Sequence, residues 1–151
     1  MRIPLDFYKS AKGAGLRLRV LATIRFGDRP PVGVAFIVDT GSPVTFVDEF
    51  ISSKVRIYTK NLGFDHDALM GGAKVAIHKA GKAYLDFRDS GGALRRIGVR
   101  DMMVARTGWT RKEAIYSSVS ILGLDFLMEN KLALHINPSK GLAYIETEGQ
   151  G

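Results

Sequence analysis

Apolar and polar residues alternate with period two through most of this sequence, a rhythm that suits strands and few other elements. Leu16, Leu18 and Val20 alternate with Arg17 and Arg19, which predicts a half-buried strand running to about Phe26. Gly27-Asp28-Arg29-Pro30-Pro31 makes a turn, and residues 32–38 form an unbroken apolar run short enough for a core strand. Residues 44–47 are a second short apolar run, and residues 48–54, acidic at the start and basic at the end, suit one or two helical turns. Residues 58–67 read as polar and irregular. Strands are predicted at 75–77, 82–88 and 94–105, the last two joined by the turn Asp89-Ser90-Gly91-Gly92. Thr110-Arg111-Lys112-Glu113 fits a capping box for a short helix. Residues 120–127 close a strand and open a helix to about Asn130. Strands at 132–137 and 142–145 follow, with a turn between them. The expected class is all-β, one domain over residues 1–151, with one short C-terminal helix.

Composition narrows the chemistry. A chain of 151 residues is one ordinary domain, large enough to bury a core without cross-links. With no Cys there is no disulfide framework, thiolate nucleophile or Cys-bound metal, and His66, His78 and His135 stand far apart, so neither metal nor cofactor is expected. No apolar run approaches a membrane span, and the N-terminal stretch has no continuous apolar region; the expectation is a soluble, cytoplasmic chain without membrane partners. The net charge is +7, but Arg17/Arg19, Arg95/Arg96 and Arg111/Lys112 are scattered, which reads as a solvated basic surface with no nucleic-acid partner.

The chemistry-bearing segment is Phe36-Ile37-Val38-Asp39-Thr40-Gly41-Ser42. A carboxylate at the end of an apolar strand needs partners, because burying a lone charge is costly. Thr40 brings a hydroxyl, Gly41 permits a tight turn whose amides approach the carboxylate, and the Ser42 hydroxyl is a further donor. Taken alone, these are also the residues of a plain turn.

Two further segments accompany it. Ile121-Leu122-Gly123 runs into the C-terminal helix, its glycine 84 residues beyond Asp39, and Leu69-Met70-Gly71-Gly72-Ala73 is a glycine pair with apolar flanks between them. In order and spacing, over residues 16–146, the set resembles the retropepsin-like, single-domain aspartic proteases. The resemblance implies a closed acid-protease-like barrel and a glycine, Gly123, that lets the chain pass tightly behind the aspartyl loop. It implies Asp39 as catalytic residue, and an active-site loop and substrate-binding set of Thr40, Gly41, Ser42, Gly71, Gly72, Ala73 and Leu122. Gly71, Gly72 and Ala73 would form a flap over a peptide or protein substrate. Trp109 is either a pocket wall or a core residue. The sequence departs from compact viral members in its longer Asp39–Gly123 interval, in Pro43, and in an N-terminal segment with no clear counterpart.

Hydrolysis by carboxylates takes two of them, one as base and one as acid. The chain has a single Asp-Thr-Gly, and Asp125, the rival, sits at a helix start where a structural role suffices. The economical expectation is a homodimer that sets Asp39 against its symmetry mate. Two readings compete: an inactive peptide-binding or dimerisation module on the same fold, and a β domain that binds nucleic acid through its charge.

Overall fold

The computed structural model describes residues 1–9, 15–70, 73–106 and 119–147. Eleven strands and two short α-helices follow in order: β1 (Arg2–Pro4), β2 (Asp6–Lys9), β3 (Leu16–Arg25), β4 (Val32–Val38), β5 (Phe46–Asp48), α1 (Glu49–Lys54), β6 (Gly63–Met70), β7 (Ala73–Arg88), β8 (Leu94–Arg106), β9 (Ser120–Leu122), α2 (Leu124–Glu129), β10 (Leu132–Asn137) and β11 (Leu142–Thr147). The expected all-β class holds. Among the described residues no helix is long and apolar enough to cross a membrane.

Eight strands form one sheet in the order β2-β3-β4-β9-β5-β8-β7-β6. The sheet closes on itself because Thr23–Arg25 at the end of β3 also pair with Tyr84–Asp86 of β7. The ring β3-β4-β9-β5-β8-β7 is therefore a barrel, with β2 and β6 as flanking strands. Closure removes the exposed edges that an open sheet would present.

The unbroken apolar runs have a direct explanation. Phe36 and Val38 of β4, Met102 and Val104 of β8 and Leu122 of β9 point into the barrel, alongside Phe87 and Phe126. Their neighbours Ile37, Met103, Ala105 and Ile121 point the other way, into a second cluster with Phe46, Val75 and Ile77. A strand buried on both faces has no polar side to show, so it reads as continuous rather than alternating. The parallel pairings β4–β9 and β5–β8 lie in this doubly covered region.

Three regions differ from the sequence expectation. Residues 58–67 are not irregular: a single 3-10 turn at Thr59–Asn61 leads into β6. The residues of β6 that turn inward are His66 and Ala68, both half-buried and neither strongly apolar, which mutes the alternation. The two strands expected at 75–77 and 82–88 are one, β7, whose ladder with β8 is irregular around Gly81, at φ 94°. That left-handed residue bends the strand so that one end pairs with β6 and the other closes the barrel. The N-terminal segment, where no strand was expected before Leu16, supplies β1 to a separate three-stranded sheet, β1-β11-β10, and β2 to the edge of β3. Arg2 bonds Glu146 across that small sheet at 3.0 Å and lies 4.3 Å from the Tyr144 ring. Trp109, the capping box from Thr110, and Gly71 and Gly72 lie outside the described residues.

Both α-helices fall where charge and capping place them. Asp48 caps α1 by accepting from the Ile51 amide at 3.0 Å, and its other oxygen accepts from the buried Ser120 hydroxyl at 3.0 Å. Asp125 stands in the first turn of α2, whose Phe126 and Leu127 are buried in the barrel core.

Candidate active site

The loop that follows β4 is built around the Asp39 carboxylate. The Asp39 amide donates to the Leu122 carbonyl at 3.1 Å, carrying the β4–β9 pairing one residue further. The Gly41 amide donates to Asp39 Oδ1 at 2.9 Å and the Ser42 amide to the Asp39 carbonyl at 3.1 Å, a tight Asx turn. Asp39, Thr40 and Gly41 are all exposed. The Ser42 hydroxyl, expected as another donor to the carboxylate, instead donates to the Val44 carbonyl at 2.8 Å and braces the loop from within. Among the described residues nothing pairs with Asp39 Oδ2.

Gly123 is what allows this loop to sit where it does. A Cβ on Gly123 would stand 2.4 Å from the Val44 carbonyl oxygen and 2.8 Å from that of Ser42, both of them backbone atoms. No larger residue fits without moving the loop, and the requirement is one of space, since φ there is −92°. Four bonds fix the close approach. The Leu124 amide donates to the Ser42 carbonyl at 2.8 Å, and the Gly123 amide to Thr45 Oγ1 at 2.9 Å. Thr45 in turn donates its hydroxyl to Asp125 Oδ1 at 2.7 Å and its amide to Oδ2 at 3.0 Å. Both Asp125 oxygens are thus engaged by Thr45, a wholly buried residue. The sequence carried no local sign of Thr45's role.

Beside the loop lies a cleft of about 340 Å³. Its apolar wall comes from Val44, Phe46, Ile77, Val119 and Ile121, and its rim includes Asp39, Arg17 and His66. The floor is the smaller apolar cluster, and β6 brings His66, Ala68 and Leu69 along one side. Leu122, expected as a wall, is wholly buried in the barrel core; its neighbour Ile121 faces the cleft. Ala73 opens β7 and pairs with Met70. No group of three or more His, Asp or Glu among the described residues is arranged to hold a metal ion.

The chain matches no protein-family model and no curated protein by sequence. Its fold does match a solved structure, that of a retropepsin-like aspartic protease from Rickettsia conorii. The two chains are 14% identical, the match covers 95% of this chain and 98% of that one, and the TM-score is 0.56. The fold is retropepsin-like. At this identity the likeness concerns architecture alone. Within a retropepsin-like fold, the aspartyl loop, the glycine behind it and the cleft beside it form one contiguous region at the barrel's surface.

Proposed function

We propose that this chain is an aspartic endopeptidase whose working unit is a two-fold homodimer, with Asp39 of each copy forming the catalytic pair. The observation that carries the reading is an exposed carboxylate held by one oxygen at the mouth of a cleft with an apolar wall, its other oxygen unpartnered among the described residues. The loop that carries it is braced from within and from behind.

One such group is half a site. Peptide hydrolysis needs a base to take a proton from water and an acid to hydrogen-bond or protonate the carbonyl oxygen. Asp125 is not available as the second carboxylate, because Thr45 occupies both its oxygens. A symmetry mate of Asp39 meets the need. Two carboxylates in contact share one proton, since both cannot readily ionise at that separation, and the pair then holds base and acid at once. The ionised member takes the proton of the attacking water as the protonated member binds the carbonyl oxygen. Collapse of the tetrahedral intermediate returns a proton to the leaving amine.

In this proposal Thr40, exposed beside Asp39, grips the partner loop across the axis, while Gly41 offers backbone to the substrate. An extended peptide or protein segment lies along the cleft by strand addition, with alternate side chains in the apolar wall. Gly71, Gly72 and Ala73 close over it as a flap.

The test is digestion of an unfolded-peptide library from acidic to neutral pH, with wild type, Asp39→Asn, and a statine-type transition-state inhibitor. Cleavage is expected to be inhibitor-sensitive, absent in Asp39→Asn, and second-order in protein at low concentration. A folded dimer that cleaves nothing at any pH refutes the enzymatic reading, and cleavage first-order in a proven monomer refutes the shared site.

A further inference from the structure

We infer that the cleft selects peptides carrying an acidic side chain next to the scissile bond, with Arg17 as the residue that recognises it. The inference deepens the protease reading above and rests on it for the location of the scissile bond.

Three observations converge on Arg17. The first is position. The β3–β4 ladder ends with Leu18 opposite Val38, so one step further Arg17 stands level with Asp39. Both residues line the same cleft. The second is the lack of an internal partner. Arg2, Arg19, Arg25, Arg95 and Arg96 each pair with a carboxylate of the chain, at 3.0, 3.8, 2.6, 2.6 and 2.7 Å. Among the described residues Arg17 pairs with none, and it is exposed. The third is the composition of the wall. Among the described residues that line the cleft, Asp39 is the one carboxylate and Arg17 the one permanently charged cation; His66 contacts the Asp65 carboxylate at 2.5 Å.

A guanidinium presents a planar fork that matches a carboxylate with two parallel hydrogen bonds. In open water such a pair discriminates little. Against Phe46, Val119 and Ile121, with a bound peptide excluding solvent, the same pair is strengthened. A lysine or arginine side chain at that subsite meets like charge. The overall +7 draws acidic peptides to the protein without choosing a position along them, whereas Arg17 reads one position.

The experiment measures binding first, so that it does not depend on turnover. Octapeptides with apolar residues and a non-hydrolysable reduced central bond carry glutamate at each of the four central positions in turn, each paired with its glutamine and lysine counterparts. Affinity for the full chain is read by fluorescence anisotropy. At one position glutamate is expected to bind about tenfold or more tighter than glutamine, as a charged hydrogen bond is worth. Arg17→Gln should erase that preference and Arg17→Glu invert it toward lysine. Lys140→Glu, in the turn between β10 and β11 and outside the cleft, should weaken all acidic peptides alike. Melting curves establish that each variant is folded. Equal binding of glutamate and glutamine peptides overturns the inference, as does failure of every peptide to bind, or equal responses of the Arg17 and Lys140 variants. Hydrolysable versions report on the protease reading separately: cleavage without an acidic preference sinks only the role of Arg17. Position-specific binding without cleavage sinks the protease and leaves Arg17 as the reader of a binding groove.

Discussion

Two loops of this molecule carry the same three-residue device and use it differently. In Asp39-Thr40-Gly41 and in Asp89-Ser90-Gly91 the glycine amide donates to Oδ1 of the aspartate, at 2.9 Å in both. Asp89 goes further. The Ala93 amide donates to the same oxygen at 2.9 Å, Arg95 donates to Oδ2 at 2.6 Å, and the residue is buried. The Arg95 hydrogen bond, followed by the backbone amides, holds its carboxyl below the usual carboxylate range. Every acceptor of Asp89 is committed to the hairpin between β7 and β8. Asp39 is exposed beside the cleft, and among the described residues its second oxygen has no partner. The plain turn that a sequence reader would set against a catalytic loop is thus present in the same chain, and what separates the two is the fate of the second oxygen.

The largest expected effect comes from exchanging these two carboxylates for amides. Asp39→Asn should cut hydrolysis about a thousandfold or more while changing stability by no more than about 0.5 kcal/mol, since it removes an exposed charge. Asp89→Asn should do the reverse, lowering the melting temperature while each folded molecule keeps its activity. Peptide turnover and thermal melts on both variants decide it. An active Asp39→Asn, or an Asp89→Asn that melts like wild type and has lost activity, breaks the comparison.

Next in size is the glycine behind the Asp39 loop. Gly123→Ala forces its Cβ against the backbone of Val44 and Ser42, and the loop has to move. Overpacking of this kind costs about 2–3 kcal/mol. Because the displaced atoms belong to the Asp39 loop and not to the Asp89 turn, surviving folded protein should be inactive. Denaturant melts with peptide turnover check both halves. A variant that loses stability but keeps full turnover per folded molecule would show that Gly123 supports the barrel and not the site.

How much of this was legible beforehand depends on whether the signal was local. β3, β10 and the first half of β8 alternate visibly, and Gly and Pro mark the turns that bound these strands and β11, so all four were readable. β1 and β2 were not, because Arg2–Pro4 and Asp6–Lys9 are three and four residues long and β1 pairs with residues 144–146, most of the chain away. The Asp-Thr-Gly turn announces itself in one short stretch. The bond between Thr45 and Asp125 spans 80 residues, and nothing around Thr45 marks it. Leu122 was assigned to the cleft in place of Ile121 for a related reason. β9 has three residues, all buried, so no alternation fixes which of them faces which side.

Acid titration should separate the two classes of carboxylate with a smaller effect. Asp86 accepts from Arg96 at 2.7 Å and from Arg25 at 2.6 Å. The Arg96 hydrogen bond, opposed in part by burial and reinforced by Arg25, lowers its pKa from 3.8 to about 2. With the folded value below the unfolded one, the unfolded chain binds the proton first as pH drops. The stabilisation is complete above pH 3.8 and is lost as pH falls through about 2. Asp89, lowered in the same direction, adds to this loss. Melting temperature recorded from pH 5 to pH 2 should decline across that interval, and Asp86→Asn should flatten the decline. A wild-type curve as flat as that of Asp86→Asn would remove Asp86 from the acid response.

The smallest effect sharpens the comparison most. A Cβ on Gly41 would stand 3.1 Å from Asp39 Oδ1, closer than nearly all real contacts, whereas on Gly91 it would stand 3.4 Å from Asp89 Oδ1, an ordinary contact. Gly91→Ala should therefore be nearly silent, within about 0.5 kcal/mol in a denaturant melt, because Arg95 and the Ala93 amide hold Asp89 whatever the turn does. Gly41→Ala meets a carboxylate with no second anchor among the described residues, so the side chain swings and the cost falls on geometry and not on folding. Turnover should drop about tenfold with little change in the melt, since small misplacements of a reacting group are expensive in rate. If both variants are silent, Asp39 is held by something other than its turn. If both lose stability equally, the two loops are the same structural turn after all, and the second oxygen of Asp39 carries no special meaning.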